Sequence, residues 1–146
     1  MIPNLFNLVN DGGVLAVQIP RFENMPLHTA IQNTAKTERW KIYTKNCEER
    51  FTFHDYKFYY DLLAKISNRI EMWETSYIHI IDSHIALIEW IRSTGLKPYL
   101  ENIPTKEERL LFENDLLVEC KKYYQLQRNS KLLFSFIRLF FIAYKI

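Results

Sequence analysis

The feature that most constrains this chain is its last long apolar stretch, residues 132–144, which reads LLFSFIRLFFIAY. A strand with one face in water carries polar residues at every second position, whereas this stretch is apolar at odd and even positions alike. It is too short to cross a bilayer as a helix, and Arg138 lies in its middle. Its aromatic and β-branched residues favour a strand over a buried helix. The stretch therefore predicts a central strand that is covered on both faces.

Length and charge limit what can cover this strand. The 146 residues suffice for one core, so we expect a single domain spanning residues 1–146. The 19 basic and 17 acidic side chains are interspersed and give a formal charge of +2. This balance predicts neither a nucleic-acid partner nor a membrane tether, and the N-terminus lacks the pattern of a secretory signal. Cys47 and Cys120 form no metal-ligand pattern. Two solitary thiols fit a reducing compartment, so we expect a cytoplasmic protein.

The start of the chain combines the end of a helix with a strand. Residues 4–9 are typical of the last turns of a helix, which the glycines at positions 12 and 13 close. Residues 13–20, GVLAVQIP, form a short apolar run and predict a buried strand. A chain that opens inside a helix and passes at once into a buried strand lacks an ordinary domain start. We therefore expect part of the domain to lie upstream of Met1.

The residue pattern in the middle of the chain predicts two helices followed by one further strand. Helices are expected at residues 26–36 and 54–66, with a loop or lid at 37–53 between them. Residues 69–80 alternate imperfectly and predict a half-polar strand, which is typical of a sheet edge or of a cleft wall. The residues expected on its apolar face are Ile70, Met72, Ile78 and Ile80.

Two helices are expected before the C-terminal strand. Asp82 or Ser83 caps the first, and residues 96–104 read as a connector that is punctuated by prolines. Thr105 and Glu108 form a capping box that opens the longest helix. The order of strand, helices, strand, helices and strand predicts an α/β fold. In this fold, helices cover both faces of a small three-stranded sheet, and a helical insertion separates two of the strands.

Arg138 is the most informative single residue for chemistry. A guanidinium among phenylalanines is costly to bury without an anion or a polar partner. A local carboxylate such as Glu71 or Glu74 would satisfy it as a structural ion pair, whereas a ligand carboxylate would satisfy it in an anion-binding cleft. The sequence leaves both alternatives open.

The other residues that could carry chemistry have ordinary structural explanations. No nucleotide, serine-hydrolase, zinc or calcium motif occurs, so no metal site is predicted. The histidines lie in different elements, which favours exposed or hydrogen-bonded roles over metal binding. Core packing is the favoured explanation for each aromatic residue of the insertion, and a pocket is the alternative. These aromatic residues are Trp73, Tyr77, Trp90 and Tyr99.

Several segments resemble the C-terminal part of the trans-aconitate methyltransferases. In order, they are GGVLAVQIP followed by PLH, then YYDLL, WETSYIH, EWIRSTGLKPYL and RLFFIA. The resemblance covers nearly the whole chain. Its specific parts are STGLKPYL and WETSYIH, since VLAVQIP is common to many methyltransferases. Members of this family are S-adenosylmethionine-dependent enzymes of the Rossmann-like class.

The resemblance implies a fold and a missing cofactor site. The chain would be the C-terminal half of a Rossmann-like methyltransferase fold, with its last strand inserted antiparallel in the centre of a mixed sheet. The family holds its cofactor on a glycine-rich turn after the first strand, with an acidic residue after the second. Nothing here resembles either feature, and the only glycines are Gly12, Gly13 and Gly95. We therefore expect S-adenosylmethionine to serve the intact family member and no cofactor to bind this chain alone.

The resemblance also implies a reaction and a set of binding residues. The intact enzyme would form a methyl ester on a small polycarboxylate, whose carboxylates, with a pKa of about 4, need no general base. No catalytic residue is then expected in this chain, and catalysis would rest on proximity and on cations that clamp the other carboxylates. The expected substrate-binding residues are Arg138, His28, His79 and Lys97, with Tyr77, Trp90 and Tyr99 shaping the pocket.

A non-catalytic alternative stays open for the isolated chain, which we expect to be inactive. If the strand at residues 13–20 lacks a neighbour on its outer side, its free edge is a template for another chain. The simplest closed solution is a homodimer through that edge. The chain would then be a dimeric binding or interaction fragment. A separate chain that supplies the N-terminal half is the other expected partner.

Overall fold

The C-terminal strand lies in the middle of a three-stranded sheet in the computed structural model, which describes residues 1–146. The strands are β1 (Val14–Pro20), β2 (Ile70–Ile81) and β3 (Leu132–Tyr144), in the order β1-β3-β2. β3 runs antiparallel to β1, with Val14 opposite Tyr144 and Pro20 opposite Arg138. The prediction of an α/β fold with a central, antiparallel last strand is confirmed.

Seven α-helices accompany the sheet. They are α1 (Ile2–Asn7), α2 (Pro26–Ala35), α3 (Lys41–Thr44), α4 (Tyr56–Leu63), α5 (His84–Arg92), α6 (Lys97–Asn102) and α7 (Lys106–Tyr123). None of these helices is both long and apolar enough to cross a membrane. The expected loop at 37–53 contains α3, and the expected connector at 96–104 contains α6, so both predictions were wrong. Pro98 lies in the first turn of α6, where a proline fits a helix, and it does not punctuate a loop.

Side-chain hydrogen bonds cap three of these helices, among them α4, where Asp55 accepts from the Phe58 amide. Thr105 accepts a hydrogen bond from the Glu108 amide at the start of α7, which confirms the capping box. Ser83, and not Asp82, caps α5 by accepting from the Ala86 amide. The Asp82 carboxylate instead pairs with Lys131 at 2.7 Å.

The covered side of β3 changes along the strand. Leu132, Phe134 and Phe136 are buried in its first half, whereas Leu139, Phe141 and Ala143 are buried in its second half. Because the first three are even and the last three odd, the buried face switches near the middle of the strand. The expectation of cover on both faces along the whole strand was therefore wrong. Leu133, for example, is 43% exposed.

The two outer strands are less buried than the sequence predicted. Residues of β1 alternate between exposed and half-buried, so the prediction of a buried strand was wrong. A strand with a partner on one side only exposes more of its surface. β2 is also an edge strand, as expected, but Ile78 and Ile80 are exposed instead of lying on a buried face.

The chain folds into two compact units, each built from separate stretches. The sheet unit comprises Met1–Arg21, Phe53–Tyr77 and Phe136–Ile146, and the helical unit comprises Phe22–Thr52 and Ile78–Ser135. In the sheet unit, Ile2 and Phe6 of α1 and Tyr59 and Leu63 of α4 pack with the odd-numbered face of β3. In the helical unit, the Trp40 ring meets Phe112 edge-on and donates a hydrogen bond to Asp115. The expectation of a single domain stays a prediction.

Candidate functional site

Arg138 lies half-buried on β3 in the sheet unit, and its guanidinium stacks 4.6 Å above the Phe136 ring. The carboxylates that could have formed a structural ion pair with it have other partners. Glu71 pairs with Arg69, and Glu74 pairs with Arg21. No carboxylate of the chain pairs with Arg138, so solvent or a ligand anion can meet its partly exposed guanidinium.

Aromatic rings continue the same face of the sheet. Phe140 lies two residues beyond Arg138, and alternate residues of a strand share a face. The Trp73 ring stacks parallel to Phe140 at 5.3 Å, and the Tyr77 ring lies 6.4 Å from Phe140. Trp73 and Tyr77 are each 43% exposed. We name this set, Phe136, Arg138, Phe140, Trp73 and Tyr77, the Arg138 face.

An ion pair that the sequence did not reveal spans the sheet beside Arg138. Arg21 directly follows β1, and its Nη1 lies 2.6 Å from Oε1 of Glu74 in β2. The Arg21 amide also donates to the Ile137 carbonyl at 2.9 Å. Because β3 lies between β1 and β2, this pair ties the two outer strands together around the middle of β3. The two residues are 53 apart, and no local pattern links them.

Two predicted residues meet in the helical unit around Phe134. His79 near the end of β2 lies 5.8 Å from the Trp90 ring of α5. Both rings contact Phe134, at 6.3 Å for His79 and 5.1 Å for Trp90. Trp90 remains partly exposed, so this aromatic group is a half-open wall and not a closed core.

His28 is buried on α2, where Phe22 meets its ring edge-on. The side-chain nitrogen of Gln32 lies 3.4 Å from His28 Nε2, and the same amide donates a hydrogen bond to Glu48. Burial lowers the pKa of His28, which favours the neutral imidazole. The prediction of His28 as a cation that clamps a carboxylate therefore has no support from its surroundings.

Tyr99 lies at the floor of a cleft of about 280 Å³ in the helical unit. Its ring stacks on Phe112, and burial raises the pKa of its phenol to about 12. The cleft walls come from α2, from α3 and the residues that follow α3, and from α6. This cleft was not predicted from the sequence, because residues 37–53 were predicted to form a loop or lid and not a helix. The lining residues are Gln32, Ala35, Lys36, Lys41, Thr44, Lys45, Glu48 and Tyr99.

Lys97 begins α6 with an exposed side chain, and its ammonium lies 3.8 Å from Glu101 one helical turn on. The seven predicted residues thus fall into three groups and one isolated lysine. Arg138 and Tyr77 share the Arg138 face, His79 and Trp90 meet at Phe134, and Tyr99 lines the cleft that Gln32 connects to His28. Their role in substrate binding stays a prediction.

The three glycines do not fit a nucleotide-type cofactor. Gly12, with φ of +79°, makes the turn between α1 and β1. A side chain on Gly13 would meet Val9 and the Asn10 carbonyl within 3 Å, and one on Gly95 would meet the Phe22 ring at 2.9 Å. Each glycine therefore serves a turn or a close contact, and none lies on a glycine-rich turn between a strand and a helix.

Comparison with known proteins supplies the remaining observation. The chain is 34% identical over 143 residues to a trans-aconitate 2-methyltransferase of Escherichia coli O157:H7, which covers 98% of this chain and 54% of the relative. It is 35% identical over 142 residues to a protein of the same name from Rhizobium rhizogenes, which covers 97% of this chain and 55% of the relative. The chain thus spans about half the length of these curated relatives. No protein-family model matches the sequence.

Proposed function

This chain belongs to the trans-aconitate 2-methyltransferase family as a C-terminal portion of it, and on that premise we propose that it is the acid-binding portion of an S-adenosylmethionine-dependent carboxylate O-methyltransferase. The proposed ligand is a small polycarboxylate. The single observation that carries the proposal is Arg138, a half-buried guanidinium without a carboxylate partner in the chain.

The surroundings of Arg138 favour a carboxylate ligand. A guanidinium presents its N–H donors in a planar fork that matches the two oxygens of a carboxylate. The rings of Phe136 and Phe140 keep bulk water from part of this surface, which strengthens a charge-assisted hydrogen bond. The Tyr77 hydroxyl can donate to a second carboxylate of the same acid. The acid is already ionised at neutral pH, so this chain need not supply a general base.

In this proposal, these residues bind the acid and take no part in binding the cofactor. The family holds S-adenosylmethionine on a glycine-rich turn after a strand, and none of the three glycines forms such a turn. We propose that the chain alone does not bind the cofactor. In this proposal, a partner that carries the N-terminal half of the family's fold supplies the cofactor site.

Calorimetry with trans-aconitate tests the role of Arg138. Arg138→Met should weaken binding of the acid by about 10- to 100-fold, because a hydrogen bond to a charged group contributes about 1.5–3 kcal/mol. Arg138→Lys should fall between this variant and the wild type, since it keeps the charge and loses the fork. Arg39→Met is the matched control, because Arg39 also stacks 4.6 Å above an aromatic ring but has Asp115 as its partner. Wild-type affinity in Arg138→Met would refute the proposed clamp.

A second candidate function rests on the free edge of β1. The Arg21 amide donates to Ile137, and the Gly13 carbonyl accepts from Lys145, so odd-numbered residues bond towards β3. The amides of Val14, Ala16 and Gln18 consequently point away from the sheet. A second copy of the chain could pair with this edge, which would make the protein a non-catalytic dimeric binding module.

A further inference from the structure

The floor of the helical-unit cleft holds a hydrogen-bond donor without a partner. Tyr99 is 2% exposed and lines the cleft, its hydroxyl makes no hydrogen bond within the chain, and no fully buried polar side-chain atom of the chain lacks a partner. The other hydroxyl of the floor belongs to Thr44 and donates to the Ala35 carbonyl at 2.7 Å. The Tyr99 hydroxyl is therefore open to the cleft, where water or a ligand can accept its hydrogen bond. The phenol stays neutral at physiological pH, so it keeps a proton to donate.

The rim of the cleft carries an excess of positive charge. Lys36, Lys41 and Lys45 line it, and Glu48 is the only carboxylate among its lining residues. Lys41 pairs with Glu38, whereas Lys36 and Lys45 have no ion pair within the chain. Glu48 accepts a hydrogen bond from Gln32, which engages part of its charge. The lining therefore combines one phenolic donor that opens on the cleft with two ammonium groups that have no ion pair.

We propose that this cleft binds a small oxyanion, namely the carboxylate or phosphate of a small metabolite. Tyr99 donates the directional hydrogen bond, and Lys36 and Lys45 supply the charge. A volume of about 280 Å³ lies just below the range of drug-sized pockets, so the ligand is small. The cleft shares no residue with the Arg138 face, and the inference does not depend on methyl transfer.

Titration of the whole chain with citrate and, separately, with inorganic phosphate tests this inference by amide chemical shifts. We expect saturable shifts at Ala35, Thr44 and Tyr99 with at least one of the two anions, and none with glycerol as the uncharged control. The anion that binds more tightly shows whether the ligand's charge comes from a carboxylate or from a phosphate. Tyr99→Phe removes only the hydroxyl and should weaken this binding roughly tenfold, as loss of one such hydrogen bond predicts.

A second variant keeps the test decisive if the first is poorly folded. Lys45→Gln should weaken binding and flatten its dependence on salt, whereas Lys121→Gln, on the exposed side of α7, should not. Arg138→Met should leave the cleft shifts unchanged, which separates this site from the proposed acid clamp. Wild-type affinity in both Tyr99→Phe and Lys45→Gln, or equal shifts with glycerol, would overturn the inference.

Discussion

Two arginines near the middle of β3 have opposite surroundings. The Arg21 side chain is 8% exposed and has the Glu74 carboxylate 2.6 Å away. Arg138 is half-buried and lies over a ring without a carboxylate. A buried guanidinium that is paired within the chain holds structure, whereas one that is unpaired at a half-open face is suited to a ligand. This contrast is the residue-level basis for proposing that Arg138 recognises the acid.

The ion pair between Arg21 and Glu74 predicts a specific loss of stability. Glu74→Gln should lower the free energy of unfolding by about 1–3 kcal/mol, because the buried guanidinium loses its carboxylate. Glu71→Gln is the matched control on the same strand. Since the pair of Glu71 with Arg69 is exposed, that variant should change the value by less than about 0.5 kcal/mol. Urea unfolding measures both, and equal effects would show that the spanning pair contributes nothing particular.

His28 predicts a dependence of stability on pH. The unfolded chain binds a proton at His28 near pH 6.5, whereas burial lowers the pKa in the folded state. The unfolded state is therefore favoured as pH falls below 6.5, and the contribution of His28 is complete only above that value. His28→Gln should flatten the fall in unfolding free energy between pH 7 and pH 5, as followed by urea midpoints. His54→Gln, which keeps His28, should retain it; an unchanged slope in His28→Gln would contradict the account.

At the scale of elements, the helices and strands that could be predicted are those marked by a local sequence pattern. The bounds of β3 follow from a long, mostly apolar run, and the start of α7 follows from the bond between Thr105 and the Glu108 amide. The short helix α6 was missed because a proline inside it read as a loop signal. The exposure of Ile78 and Ile80 depends on what covers each half of the sheet, and periodicity along one strand does not contain that information.

The free edge of β1 predicts self-association. Light scattering across dilution should show a dimer at micromolar concentration if two copies pair along Val14–Pro20. Ala16→Pro removes one outward amide without touching the bonds to β3, so it should give a folded monomer. Ala16→Val keeps that amide and should remain dimeric. A wild-type monomer, or a dimer that Ala16→Pro leaves intact, would show that this edge does not pair.

At the scale of the whole molecule, the candidate sites were only partly predictable from the sequence. Arg138 could be found because a charge inside an apolar run is conspicuous, and Tyr77 followed from its place on a half-polar strand. The cleft at Tyr99 could not be found, since it depends on α3 and on how that helix meets α2 and α6. The Arg21–Glu74 pair joins residues that are 53 apart in the sequence. It could not be predicted either, because it too depends on how distant segments pack.

Calorimetry of the chain with trans-aconitate and, separately, with S-adenosylmethionine tests the central claim most directly. If this portion of the family binds the acid but not the cofactor, the acid should give a saturable heat that Arg138→Met abolishes or strongly weakens. S-adenosylmethionine should give none, because no glycine of the chain forms the glycine-rich turn after a strand that holds this cofactor in the family. Saturable micromolar binding of S-adenosylmethionine, or no binding of the acid by the wild type, would contradict the account.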